Sequence, residues 1–290
     1  MKRLEDYNPT TIFLYFLAVT VVPTVFVDPA LAALSLSGAA AYYILRGQGR
    51  LRDFYVYGGL LLAMALINPR FRHNGVTVLF VMGNNPITLE ATIYGFVASS
   101  MILSVILWFS TFSRIMTSEK LLYLFGRVSP KLALILSMAL RYIPLFSTQA
   151  KRVGDAQKVL GLYKEDNIID DIRGGARVFG VMVSWALENG IITADSMAAR
   201  GYGIGRRSSF AIYKFTRADA ALLLMILTLF GAAAGVSVLL GVSFTFYPAI
   251  KPPPSLPAAA VYSAYALLSF LPAALEVWEC VKWKYLLSKI

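Results

Sequence analysis

The stretch LEATIYGFVASSMILSVILWFSTF, residues 89–112, carries a single charge, Glu90, at its beginning and is otherwise apolar or small. An α-helix rises 1.5 Å per residue, so about 20 mostly apolar residues cross the roughly 30 Å hydrocarbon layer of a bilayer. Thr88 followed by Glu90 reads as the start of such a helix, and the run is long enough to span. Working outward, residues 10–27 and 30–45 form two further apolar runs, divided by Asp28 and Pro29 and supplied with Ala and Gly where close packing needs small residues. Residues 220–240 and 258–277 form two more, with a turn at Lys251–Pro254 and Pro257 between them. Residues 54–67 are shorter and stop at Asn68 and Pro69. Residues 76–82, flanked by Gly75 and by Gly83, Asn84, Asn85 and Pro86, read as a packed or re-entrant piece. The expected fold is all-α, a polytopic membrane protein with about six transmembrane helices plus long cytoplasmic helices.

The bulk composition agrees. The 290 residues are 58% apolar with a mean hydropathy of +0.64, more than one aqueous core uses, so the surplus faces lipid. Lys and Arg outnumber Asp and Glu by 27 to 16, a net +11. These cations sit beside the apolar runs, as Arg46, Arg50 and Arg52 and as Lys282, Lys284 and Lys289, which is the pattern of cytoplasmic loops. Anionic membrane lipid accounts for them, and nucleic acid is not called for as a partner. Four spans before the middle region and two after it put both termini in the cytoplasm, although Arg70 and Arg72 then fall outside. A lone cysteine, Cys280, and a lone histidine, His73, speak against a disulfide within the chain and against a Cys/His metal site. The start, residues 1–8, is polar and does not read as a cleavable leader. Phosphate-loop, H-E-x-x-H and G-x-S-x-G patterns are missing, so no catalytic residue and no cofactor is expected. Asp28, Glu90 and Asp219 fall near span ends, where a carboxylate reaches the interface.

The character changes between Ser113 and Asp219, dividing the chain into residues 1–112, 113–219 and 220–290. Charges recur every few residues while apolar residues stay plentiful, as in amphipathic helices at a membrane surface. Helices are expected from Ser118, over 132–141 with Pro130 in the first turn and Pro144 as a kink, over 147–160, and over 172–199, with an acidic connector at 164–171. Two helix ends share a pattern. Asp155, Lys158, Val159, Leu160 and Gly161 overlay Asp195, Ala198, Ala199, Arg200 and Gly201, each glycine being followed by a tyrosine, Tyr163 or Tyr202. Glycine after a helical run is the usual C-cap. Such ends are either ordinary termini or docking knobs for a soluble partner, and a guanidinium at Arg200 suits a forked contact with a carboxylate.

Taken together, several motifs are specific: Asn68, Pro69, Phe71 and His73; Pro86 to Ala91; Tyr123 to Arg127 as Tyr-Leu-Phe-Gly-Arg; Leu140 to Pro144; and Ala198 to Tyr202 as Ala-Ala-Arg-Gly-Tyr. By these the chain resembles the transmembrane T component of energy-coupling factor (ECF) transporters, the EcfT/CbiQ family of prokaryotic vitamin and metal importers, over nearly all of residues 68–215. The resemblance implies a non-catalytic subunit of the cell membrane. It would hold a small membrane-embedded substrate-binding S component and join it to two ABC-type ATPases through two coupling helices that end in Ala-Arg-Gly motifs. Arg200 matches the arginine of the second motif. In the first, Val159, Leu160 and Gly161 stand in its place, so either Lys158 or Arg152 supplies the charge or that tip docks by apolar contact. Arg141 beside Pro144 is a candidate hinge or inter-helix contact. The alternative is a self-sufficient, ion-coupled secondary transporter, which would show interrupted spans in two repeats and a polar midplane site.

Overall fold

The structure, a computed structural model, describes residues 4–47, 51–71, 77–82, 85–161, 168–205, 213–242, 244–247 and 251–287. In chain order its elements are a 3-10 turn, Leu4–Asp6; α1, Pro9–Val25; α2, Pro29–Leu45; α3, Leu51–Phe71; β1, Val78–Met82; β2, Asn85–Thr88; and α4, Leu89–Ile115. There follow α5, Ser118–Val128; α6, Pro130–Val159; α7, Ile168–Ala199; α8, Arg217–Phe230; a π-helical turn, Gly231–Gly235; α9, Val236–Leu239; and α10, Ser255–Leu287. They form two compact units: Met1–Leu121 with Tyr213–Ile290, and Leu122–Ile212.

Four helices of the first unit begin where the sequence supplies an oxygen for orphan backbone N–H groups. The Asn8 side chain accepts from the Thr10 N–H, Asp28 from Ala30, and Thr88 from Ala91, while Thr216 and Asp219 cap α8 reciprocally. Pro9 and Pro29 occupy first-turn positions, where a missing N–H costs nothing. Lipid offers no hydrophobic drive for helices to associate, so close packing and interhelical hydrogen bonds must do it, at about 0.6 kcal/mol per bond. Tyr15 of α1 donates to the Leu268 carbonyl of α10 at 3.2 Å, and Tyr265 of α10 donates back to the Val19 carbonyl of α1 at 2.9 Å. Trp108 of α4 donates to Ser35 of α2 at 3.2 Å. Gly38 lets α2 meet α10: a Cβ there would stand 2.9 Å from the Cβ of Ser269.

Three expectations are corrected, and the packed or re-entrant piece expected at 76–82 takes a definite form in an otherwise helical chain: Val78–Met82 is a strand paired antiparallel with Asn85–Thr88, and Val76, Gly83 and Asn84 lie outside the described residues. β-branched and aromatic residues at short spacing favour a strand. Asn68 and Pro69 do not stop the third helix, which runs to Phe71. Of its 21 residues, Tyr55–Ile67 form an apolar stretch shorter than a full crossing. Pro144 does not divide the next region, since Pro130–Val159 is one helix. Asp28, Glu90 and Asp219 do not reach for the interface: all are buried and hydrogen-bonded, Asp28 to Tyr262 at 2.7 Å, Glu90 to the Thr77 N–H at 3.2 Å and Asp219 to the Asn8 N–H at 2.7 Å.

A count of six spans is not established. Among the described residues four helices are long and apolar enough to cross a membrane: Leu89–Ile115, Pro130–Val159, Arg217–Leu239 and Ser255–Leu287, while α1 and α2 are apolar but shorter. Arg72 and His73 lie outside the described residues, and so do Lys164 to Asn167 of the acidic connector. The rest of that connector is helix, with Asp170 and Asp171 in the first turn of α7, where the helix dipole favours negative charge.

Candidate functional site

The second unit is built on α6 and α7, 30 and 32 residues long. Tyr142 of α6 shares a 3.0 Å hydrogen bond with Thr193 of α7, and Phe146, one turn further along α6, meets Trp185 edge-on at 5.6 Å. The pairing is therefore antiparallel. Beside it a groove of about 390 Å3 is lined by Leu134, Met138 and Tyr142 from α6 and by Thr193, Met197 and Tyr202 from the end of α7. Sequence reasoning gave no role to Tyr142 or Thr193. Tyr142 and Phe146 stand at i and i+4, the spacing that puts two rings on one helix face, and this was the available signal.

The two helix ends have closely similar backbones. In α7 the Gly201 N–H returns to the Ala198 carbonyl at 2.9 Å and the Tyr202 N–H to the Met197 carbonyl at 3.0 Å, the paired bonds of a Schellman cap, with Gly201 at φ +74. In α6 the Gly161 N–H returns to Lys158 at 3.0 Å and Gly161 has φ +67. Leu160 and Arg200 thus occupy the same C-cap position. Glycine follows both because L side chains are strained at such φ values.

Both ends are open to the surroundings of the unit. Val159 and Leu160 are 89% and 72% exposed, and Lys158, Ala198, Ala199 and Arg200 are exposed as well. Arg200 makes no ion pair among the described residues. Because α6 and α7 run antiparallel, Arg200 lies level with the first turns of α6 while Leu160 is at its far end. With 1.5 Å per residue the two caps are roughly 35 Å apart along α6. Lys158 stands two residues before Leu160, within the same turn. Arg152 stands about two turns further back, roughly 12 Å away along the helix. Asp155 and Asp195 occupy equivalent exposed positions in the two ends, and Arg141 and Pro144 are exposed on α6. The structure brings none of these six polar or hinge residues into a common cluster among the described contacts, and no group of His, Cys, Asp or Glu among the described residues is arranged to hold a metal ion.

A different polar cluster lies in the first unit. Arg46, past the end of α2, pairs with Glu5 at 3.0 Å and approaches Glu276 of α10 at 3.7 Å. Lys120, in the first turn of α5, donates to the Glu5 carbonyl at 2.7 Å and to the Ile115 carbonyl at 3.0 Å. From the sequence Arg46 reads only as a loop charge.

A relative, the uncharacterized protein MG181 of Mycoplasma genitalium, is 27% identical over 175 residues, which cover 56% of this chain and 42% of that protein. The chain therefore spans about two fifths of the length of the curated relative it matches. The family model described as cobalt transport protein, CbiQ, matches residues 2–212, well over half of the chain and including both capped helix ends. The chain belongs to this CbiQ family of ECF-transporter T components, which are multi-pass, non-catalytic transport subunits of prokaryotic membranes.

Proposed function

We propose that the chain is the coupling subunit of an ECF-type importer, in which two ABC-type ATPases dock on the ends of α6 and α7 and their ATP-driven movement passes along those helices to a membrane-embedded S component. The observation that carries this is the pair of matching, exposed, glycine-capped ends on one antiparallel hairpin, roughly 35 Å apart, a spacing suited to two clefts and not to one. In this reading residues 113–219 are cytoplasmic, flanked by membrane helices in 1–112 and 220–290, and both termini are cytoplasmic. The solute is a vitamin or a metal ion bound by the S component, and this chain has no part in choosing it.

The two contacts are unequal. At Arg200 a guanidinium can fork onto a carboxylate of one ATPase. At Leu160 the contact is apolar, with Lys158 supplying charge from the same turn. Arg141 and Pro144 lie between the ends on α6, where proline removes one hydrogen bond of the helix ladder and lets it bend.

The test is affinity capture of the detergent-solubilised chain from its native membranes, with wild type and Arg200→Glu in parallel. Capture of two ATPases and a small membrane protein by the wild type, with ATPase recovery at least tenfold lower in the variant, is expected. A chain recovered alone, or with partners indifferent to Arg200, would move the weight to a self-sufficient secondary transporter.

A further inference from the structure

The chain leaves the first unit after Leu121 and returns to it at Tyr213. At each of these two places, residues on the first unit's side are tied to the same few residues at the N-terminus. On the outgoing side, Lys120 is the last residue but one of the first unit, and the residue is only 8% exposed while its ammonium donates to the Glu5 carbonyl. On the returning side, the Asn8 N–H donates to Asp219, which also accepts from the Thr216 N–H at 2.7 Å and so fixes the first turn of α8. The N-terminal segment is itself held. Leu4 is 1% and Tyr7 4% exposed, and the Glu5 carboxylate pairs with Arg46, which links it to α2 and towards Glu276 of α10.

Burying an ammonium and a carboxylate at the two places where the chain crosses is costly unless each is fully used. Burial pushes the Lys120 ammonium below its ordinary range, with Glu5 and Asp6 acting in the opposite direction. A terminal segment that needed only to cover apolar surface would not require either group.

We infer that residues Leu4–Asn8 form a brace that pins both crossings to the membrane bundle, so that Lys120 and Asp219 are positioning residues for energy coupling. The brace rests on the coupling role proposed above. With it in place, a shift at the helix ends turns the hairpin about two fixed points. Without it, the same shift is lost in loosening the first turns of α5 and α8, and ATP is hydrolysed with little transport.

Asn8 separates this role from simple stability. Its φ of −59 is the value proline imposes, so Asn8→Pro keeps the backbone path while deleting the N–H that reaches Asp219. Both Asn8→Pro and Asn8→Ala lose the side-chain cap of α1, so their difference reports the lost N–H together with the restriction that proline places on Tyr7 before it. The experiment uses the whole complex, captured with its ATPases and S component and reconstituted in vesicles, and measures solute taken up per ATP hydrolysed. Asn8→Pro and Lys120→Met are expected to lower that ratio about tenfold at unchanged ATPase recovery, with Asn8→Ala close to wild type. Equal ratios for Asn8→Pro and Asn8→Ala in a wild-type complex that does couple would overturn the brace, whereas a wild type that recruits no ATPase would overturn the coupling role itself. Should the variants fail to assemble, hydrogen exchange on the wild-type complex decides: residues 4–8 stay equally protected with and without a non-hydrolysable ATP analogue if the brace is a fixed point. Loss of protection on nucleotide binding would refute it.

Discussion

Gly201 shows how much a single position decides. Its φ of +74 closes the cap that presents Arg200, and a methyl group there costs about 1 kcal/mol in that conformation. Gly201→Ala should therefore leave the membrane bundle intact yet fray the last turn of α7, lowering ATPase recovery severalfold in the capture assay. Recovery equal to wild type would mean that Arg200 does not need its cap. The cap conformation of Gly161 and Gly201 was legible in the sequence because glycine after a helical run has one dominant physical reason. Burial of Asp28, Glu90 and Asp219 was not legible: a carboxylate near a span end reads the same whether it faces headgroups or a partner within the fold, and only the partners Tyr262, Thr77 and Asn8, none of them adjacent in sequence, distinguish the two.

At the scale of elements, α2 and α4 were legible from apolar runs bounded by Asp-Pro and Thr-Leu-Glu signals, because Asp28 and Thr88 satisfy N–H groups locally. The β1–β2 hairpin was not, since a run of seven residues, six of them apolar, is too short for its periodicity to single out a strand. Pro144 misled for a related reason. Proline weakens a helix by about 3 kcal/mol, but the bonds on either side of a 30-residue helix outweigh one interruption. The crossing of α2 and α10 gives a sharper test. Gly38→Val would force side-chain atoms into Ser269, and overpacking of this kind costs about 1–3 kcal/mol. The purified variant is expected to melt several degrees below wild type, and an unchanged midpoint would show that the crossing can give way.

For the whole molecule, membership of the family and the presence of long apolar helices leave the orientation to be measured. Cys280 is the only cysteine and is exposed, so a Cys280→Ser chain is a clean background for single cysteines. Cysteine at Leu160 or Arg200 should react with a membrane-impermeant maleimide in inside-out vesicles and stay unlabelled in intact cells. The opposite pattern would place the hairpin outside and end the coupling proposal. This measurement also bears on α6, which is apolar enough to cross a bilayer yet carries the exposed end that the proposal sets in the cytoplasm.

The π-helical turn at Gly231–Gly235 acts as a phase shifter. Before it, α8 packs against both α1 and α10; the π turn and α9 that follow pack against α10. A π turn closes its bonds one residue later than an α turn, so the surplus residue rotates everything after it relative to everything before it. Deleting one residue from Gly231–Gly235 would restore a regular helix and swing Val238 and Leu239, now turned outward, through about 100° towards the bundle interior. Through one local widening a single continuous rod is given two bearings, and the join between them is made of glycine and alanine, which occupy the least space.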